Sequence, residues 1–367
     1  MVSGASFAVL AVFSLQWFIQ LNADGTGYLA QRTMACRTDR DARLASVVFA
    51  FTQVLLRSLL WLPIALGLLL LFPPDVSLPL AELRHEREAT FVRGIAELLP
   101  AGAMGLLLTA MLAALASTID THLNWGASYW THDLYDRLLC RAWLGRRPGP
   151  RALVAVARMS NVVILLAGFA LMTQLSSIEA AWRAALLLGA GMGPLLVLRW
   201  VWWRISAYGE LACLGVSLVA AWPLLGADLS EATRLLAMAG LATGAGVLVS
   251  WFTPEDPARL RDFFERTRPP GFWGPVAAKA GIPPGAGPRR LSRGIAAVGA
   301  TGASLFCLLA GLGSWVADSP VPHWWSLGRP AWVAGQVLAG LALVPVWWRL
   351  GFQEDLKKDP GGASASN

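Results

Sequence analysis

The sequence predicts an all-α, polytopic membrane protein with about nine transmembrane helices. Three observations carry that prediction. Of 367 residues, 56% are hydrophobic and only 14% are charged, against about 25% charged in ordinary soluble domains. The apolar residues gather into runs of about 20, the length that crosses a hydrocarbon core of about 30 Å. The basic residues fall in short loops between those runs. The net charge of +7 is therefore dispersed over loops rather than gathered on a polar domain. That pattern is one of membrane orientation, and it argues against a nucleic-acid partner.

The expected spans are 4–21, 44–72, 100–124, 152–173, 179–201, 208–226, 232–252, 294–316 and 329–348. The first runs into "QWFIQLNADGTGYLAQR", where Asn22, Asp24, Gly25 and Gly27 interrupt it. Either the span ends near Leu21, or a discontinuous helix lines a binding cavity. The second carries Arg57 in mid-span, with Pro63 following. An ion at that depth is functional by default, although a structural pair with Asp24 or Asp120 is equally open. The fifth span follows Ser176-Ser177-Ile178-Glu179, a capping box. It contains "LLGAGMGPLL", a second stretch weakened by Gly and Pro. Ser230-Glu231 starts the seventh span with an anion at its N-terminus, and the Gly240/Gly244 spacing reads as helix packing.

Tryptophans mark the span limits. Trp200, Trp202 and Trp203 sit between Arg199 and Arg204, Trp347 and Trp348 precede Arg349, and Trp324 and Trp325 precede the last span. They read as interfacial anchors. The one long loop, 253–293, is expected to hold an amphipathic helix at the membrane surface. Thr253 is its expected cap, Pro254 its first residue, and Leu260, Phe263 and Phe264 its apolar face. With the N-terminus outside, inside loops collect 23 of the 30 basic residues. The expected topology is thus an outside N-terminus and a cytoplasmic C-terminus in a bacterial-type inner (plasma) membrane.

The third span poses the chemical question. "ALASTIDTHLNWGASYW", from Ala114 to Trp130, packs seven polar side chains into an apolar region. An aspartate at mid-membrane costs about 2.5–3.5 kcal/mol on the insertion scale. At 100° per residue, Ala114, Ser117, Thr118, Asp120, Thr121, Asn124 and Ser128 share one side, and Leu112, Leu115, Ile119 and Leu123 the other. Ser117 and Thr118 hydroxyls, with an Ala114 carbonyl loosened by back-bonding, could offer three neutral oxygens to a hard monovalent cation. Asp120 adds a negative charge, or forms a buried pair with Arg57 or Arg183. His122 reads as a packing residue. Enzymatic chemistry finds no footing: the chain has no HExxH, no Gly-Lys-Ser/Thr loop and no nucleophile–base pair. Cys36, Cys140, Cys213 and Cys307 have no metal-ligand spacing and read as reduced thiols.

These residues carry a resemblance. "STIDTHLNWGASYWTHDLYDRLL" (117–139) resembles the eighth core helix of the sodium:solute symporter family, and "GTGYLAQRTMACRTDRDAR" (25–43) resembles the end of its sixth helix and the loop after it. "LLVLRWVWWRISAYGELACLGVSLVAAW" and "RTRPPGFWGPV" resemble C-terminal segments of a bacterial subgroup. The resemblance implies a LeuT-like fold of five-plus-five inverted repeats. It places Ala114, Ser117 and Thr118 at the main sodium site, Asp120 and Thr121 at a second cation site, and Gln20, Asn22 and Asp24 against the substrate.

The resemblance begins at the sixth core helix. Residues 1–204 are then the second repeat, core helices six to ten, and 205–367 are peripheral helices. The first repeat, which supplies further sodium ligands, is expected to be missing, so the chain reads as an N-terminally truncated fragment. The expected function is symport: sodium-coupled import of a small solute across the bilayer, with Na⁺ and the solute as partners. The alternative is a non-transporting sensor or scaffold built on the same helices.

Overall fold

The structure, a computed structural model, describes residues 30–175, 177–283 and 285–358, with the side chains of Leu80, Ala81, Glu179 and 353–358 left out of the description. The expected span 4–21 and the interruption after it lie outside the described residues. Among those described, every regular element is helical, and the one β contact is an isolated bridge between Trp202 and Phe272.

After the short α1 (Ala30–Met34), α2 runs from Asp39 to Leu71. It begins five residues before the apolar run because Thr38 caps it. The Thr38 hydroxyl accepts from the Asp41 amide at 3.1 Å and donates to the Asp41 carboxylate at 2.8 Å. Two acids in the first turn complement the positive end of the helix dipole. A π-helical stretch at Phe51–Leu56 leads directly into Arg57, which is exposed. Helix α3 (Leu80–Leu98) matches none of the apolar runs. It is too charged to cross a membrane, and exposed pairs such as Arg93–Glu97, 2.7 Å apart, support it locally.

Eight helices are long and apolar enough to cross a membrane among the described residues, and each covers one of the expected spans after the first. Helix α4 (Ala101–Trp143) is the longest at 43 residues, about twice a crossing. It is α-helical to Ser128 and π-helical from Tyr129 to Trp143. The apolar run stops near Asn124, so counting apolar residues missed the second half. There, Thr131, Asp136 and Cys140 are the buried positions. Asp136 takes two hydrogen bonds from Arg141, at 2.9 and 2.5 Å. An i,i+5 pair faces poorly in an α-helix but is natural where the hydrogen bonds themselves run i→i+5. Helix α5 (Pro150–Met172) packs along α4, and Ile164 fills the space over Gly126.

Helices α6 (Ile178–Val201), α7 (Ala207–Gly226) and α8 (Glu231–Phe252) follow. Ser177, Ser206 and Ser230 each accept from a backbone N–H three residues on. The cap seen before α6 is thus Ser177, one residue after the Ser176 that the expected box implies, which lies outside the described residues, and Glu231 stands in the first turn of α8 as expected. The expected weak stretch in α6 is an unbroken helix around Pro194. Its small residues serve close packing instead. The Cys213 thiol donates to the Gly191 carbonyl at 3.1 Å, and a Cβ on Gly191 would collide with Ser217. On α8 the buried stripe is Leu235, Met238, Ala242, Gly246 and Ser250. Gly246 lies against Leu195 and Gly209, whereas Gly240 and Gly244 face open space. The expected Gly240/Gly244 contact is therefore replaced by one through Gly246.

The long loop folds as α9 (Pro257–Thr267) and α10 (Gly274–Lys279). Its first helix starts three residues later than expected. Asp256, not Thr253, is the cap, accepting from the Arg259 amide at 3.2 Å, and Pro257 is the first residue. The expected lipid-facing stripe is covered by protein. Leu260, Phe263 and Phe264 pack with Trp203, Trp273, Val276 and Ala277. The Trp273 indole donates to the Trp200 carbonyl at 2.9 Å and so ties the loop to the end of α6. Gly271, at φ +107°, lies where any Cβ would strike the Val201 backbone.

Helix α11 (Ala286–Val316) has 31 residues, and α12 (Gly328–Ala342) is separated from α13 (Val344–Lys358) at Leu343. Pro345 in the first turn of α13 accounts for that break. Trp347, expected as an interfacial anchor, is buried against Phe51 and Trp348. All four cysteines are free thiols. The described chain divides into two packing units, Leu68–Ala181 and the described residues on either side of it.

Two substitutions test this packing. Gly209→Val sets a side chain against the Ser250 hydroxyl and the Gly246 carbonyl. It should destabilise by about 1–3 kcal/mol, whereas Gly244→Ala, in open space, should be neutral or stabilising by up to about 1 kcal/mol. Thermal unfolding of the detergent-solubilised chain measures both. Asp136→Ala should lower the melting temperature through loss of the Arg141 pair. Thr131→Val should cost nothing measurable, because the Thr131 hydroxyl is buried without a partner.

Candidate functional site

The polar run of the third span lies where α4 is a regular α-helix. The structure brings its oxygens together in a specific way. The Thr118 hydroxyl donates to the Ala114 carbonyl at 2.9 Å, and the Thr121 hydroxyl donates to the Ser117 carbonyl at 2.8 Å. The Thr118 oxygen and the Ala114 carbonyl oxygen therefore share one small patch, as the helical wheel predicts. Back-bonding of this kind satisfies each hydroxyl proton within the helix and leaves oxygen lone pairs outward.

Asp120 accepts from the Asn124 amide at 2.9 Å. The carboxylate is thus held by a neutral donor one turn away. His122, which is exposed, stacks with Trp125 on the same helix, with ring centroids 6.4 Å apart. The Trp125 indole donates to the Tyr129 hydroxyl at 3.0 Å and closes the polar run at its C-terminal end.

Exposure separates two stretches of α4. From Met111 to His122 every residue is exposed, including Ala114, Ser117, Thr118, Asp120 and Thr121. The first buried residue after them is Ala127, beside Gly126, against which Ile164 of α5 packs. So α5 packs against Gly126, while the oxygen-bearing turns are exposed. Gln20, Asn22 and Asp24 lie outside the described residues, so their relation to this face is not on view.

What this patch can do follows from its chemistry. It offers neutral hydroxyl and carbonyl oxygens with one carboxylate a turn away, and no thiolate. Hard oxygen donors suit alkali and alkaline-earth cations rather than transition metals. Consistent with that, no group of three or more His, Cys, Asp or Glu side chains converges among the described residues. One polar feature escaped the sequence reading, the Asp136–Arg141 pair. Its signal, a five-residue spacing, is invisible to a 3.6-residue wheel.

Comparison with known proteins bears on the same residues. The osmoregulated proline transporter of Bacillus subtilis is 31% identical over 159 residues, 41% of this chain and 30% of that protein. The sodium/proline symporter of Escherichia coli is 32% identical over 129 residues, 33% of this chain and 24% of its own length. The sodium/mannose cotransporter of Bos taurus is 29% identical over 258 residues, 66% of this chain and 37% of its own length. The matched parts thus span about a quarter to two fifths of these relatives. No solved structure matches the chain. Residues 3–216, more than half the chain, match the model of the sodium:solute symporter family, and with its membrane-length helices and oxygen-bearing α4 the chain belongs to that family.

Proposed function

We propose that this chain works in sodium-coupled import of a small polar solute, with α4 supplying part of the sodium site. The observation that carries the reading is the Thr118–Ala114 oxygen pair on the exposed polar face of a membrane-length helix. Ala114 contributes its backbone carbonyl, and Ser117 and Thr118 their hydroxyls. Asp120 and Thr121, one turn on, offer a second cation position. The relatives' names specify proline and mannose, so a small polar solute is the class assigned here.

The energetic logic is one of substitution. Na⁺ in the membrane must exchange water for protein oxygens of comparable strength. Three oxygens from one helix make only part of such a cage, so the rest come from other helices facing α4. Binding of Na⁺ favours the outward-open state, and its release inside resets the cycle. This requires the ion to bind the two states with different affinity. The membrane orientation follows the arginines: the ends bearing Arg137–Arg158 and Arg259–Arg293 lie in the cytoplasm, as does the C-terminus. Gln20, Asn22 and Asp24 are assigned to the solute.

The test is uptake by the complete transporter in vesicles. Thr118→Ala and Ser117→Ala should each raise the sodium concentration for half-maximal uptake by about tenfold or more, a loss of about 1.4 kcal/mol. Solute affinity at saturating sodium should change little. Unaltered sodium dependence in both variants rejects the site. Asn22→Ala should show the converse, a weaker solute affinity with an unchanged sodium requirement at saturating solute.

A further inference from the structure

Between α4 and α5 the chain reads "WLGRRPGPR", from Trp143 to Arg151. The backbone of this turn is fixed. Gly145 takes a left-handed φ of +61°, which costs glycine little and other residues more. The Leu144 amide donates to the Leu139 carbonyl at 3.0 Å, and the Arg146 amide to the Cys140 carbonyl at 2.9 Å. Pro150 then opens α5 at its first position. Yet Trp143 and Leu144 stay 74% and 51% exposed. The turn is ordered by its own backbone and leaves an indole and a leucine uncovered.

The charge of the turn is not compensated. Just before it, Arg137 is paired with Asp133 at 3.0 Å and Arg141 with Asp136 at 2.5 Å. Arg146, Arg147, Arg151 and Arg158 are exposed, and none of their side chains has a hydrogen bond or ion pair among the described residues. The field of Asp136 reaches Arg147, but that carboxylate is buried and already takes both hydrogen bonds from Arg141. Depth is the second observation. Helix α5 has 23 residues, little more than one crossing, so a membrane it spans has its surface at Pro150 and Arg151. Arg158 follows Arg151 by seven residues, two turns along the same side of α5. That sets it about 10 Å deeper at 1.5 Å per residue. An arginine at such depth needs a partner, and helical side chains lean toward the N-terminus, here back toward the turn.

We propose that the α4–α5 turn binds the headgroup of an anionic phospholipid. Arg146, Arg147 and Arg151 take its phosphate, Arg158 reaches the same layer from within the span, and Trp143 and Leu144 insert beside its acyl chains. Clusters of basic residues at the end of a membrane helix attract anionic lipids, and an indole suits the headgroup boundary. An acidic protein or a nucleic acid would account for the arginines at the turn but not for Arg158 inside the apolar stretch. Free phosphate has no use for Trp143 and Leu144, and a zwitterionic lipid brings a cation of its own against four arginines. All these residues lie in one packing unit, and the argument holds for either leaflet.

The test uses the full chain in mild detergent with equal phosphatidylglycerol and phosphatidylcholine, with retained lipid counted by native mass spectrometry. Phosphatidylglycerol should be retained over phosphatidylcholine by about tenfold or more. The triple variant Arg146→Gln, Arg147→Gln, Arg151→Gln should bring that ratio close to one. Its melting temperature without lipid should not move, because these side chains hold nothing else in the described chain. Lysine at the same three positions should keep most of the preference. Arg158→Gln alone should lower it by about fivefold, and it decides the matter if the triple variant unfolds. Equal retention of both lipids by the unaltered chain, an undiminished preference in the glutamine variants, displacement by inorganic phosphate alone, or no retained lipid overturns the proposal.

Discussion

Hydrocarbon cannot hydrogen-bond, and many of the described polar side chains in the membrane-length helices are arranged around that fact. Several hydroxyls are satisfied locally. Thr109, Thr118, Thr121, Ser217 and Thr301 each donate to the carbonyl four residues back. Ser304 instead reaches across to the Gly340 carbonyl at 2.7 Å, at a point where a Cβ on Gly340 would press on the Ser304 backbone and Leu308. Small residues and hydroxyls thus act together. Glycine lets two backbones approach, and the hydroxyl spends its proton where they meet.

The arginines extend the same constraint to the helix ends. Arg204 donates to the carbonyls of Trp251 and Thr253 at the end of α8, and Arg329 to those of Ser314 and Trp315 at the end of α11. Terminal carbonyls have no partner within their own helix and carry the negative end of its dipole. An arginine in a neighbouring loop satisfies both needs at once. These loop arginines are therefore structural caps, which is why they form specific contacts rather than a diffuse basic surface.

This explains which parts of the fold were legible in the sequence. Spans were legible because hydropathy alone dictates them, and the helix start at Ser230-Glu231 because local chemistry does. The polar side of α4 was legible because it obeys the 3.6-residue period. The Asp136–Arg141 pair was not, since a π-helical register changes which residues share a side. Helix α3 was invisible to a search for apolar runs because its support is charge pairing. The Gly246 contact was missed for another reason. Several glycines in α8 have helical spacing, and only the partner surface on α6 and α7 selects one face. Likewise, Leu260, Phe263 and Phe264 form an apolar stripe whether lipid or Trp273 covers it, and the sequence does not distinguish those partners.

The same constraint bears most heavily on Asp120. A back-bonded threonine can face lipid at modest cost, because its proton already has a carbonyl. A carboxylate cannot, and one amide from Asn124 does not replace its hydration. Yet Asp120 lies in the exposed turns of α4. In a bilayer that face must therefore meet protein, water or a cation. In the sodium site proposed above, a cation would compensate the charge and draw on the neighbouring lone pairs of Thr118 and Ala114 as well. On that proposal, polar groups that burden an isolated helix are the reason for another helix and an ion to assemble against it, so the cost of Asp120 in lipid and its proposed use in binding are one property.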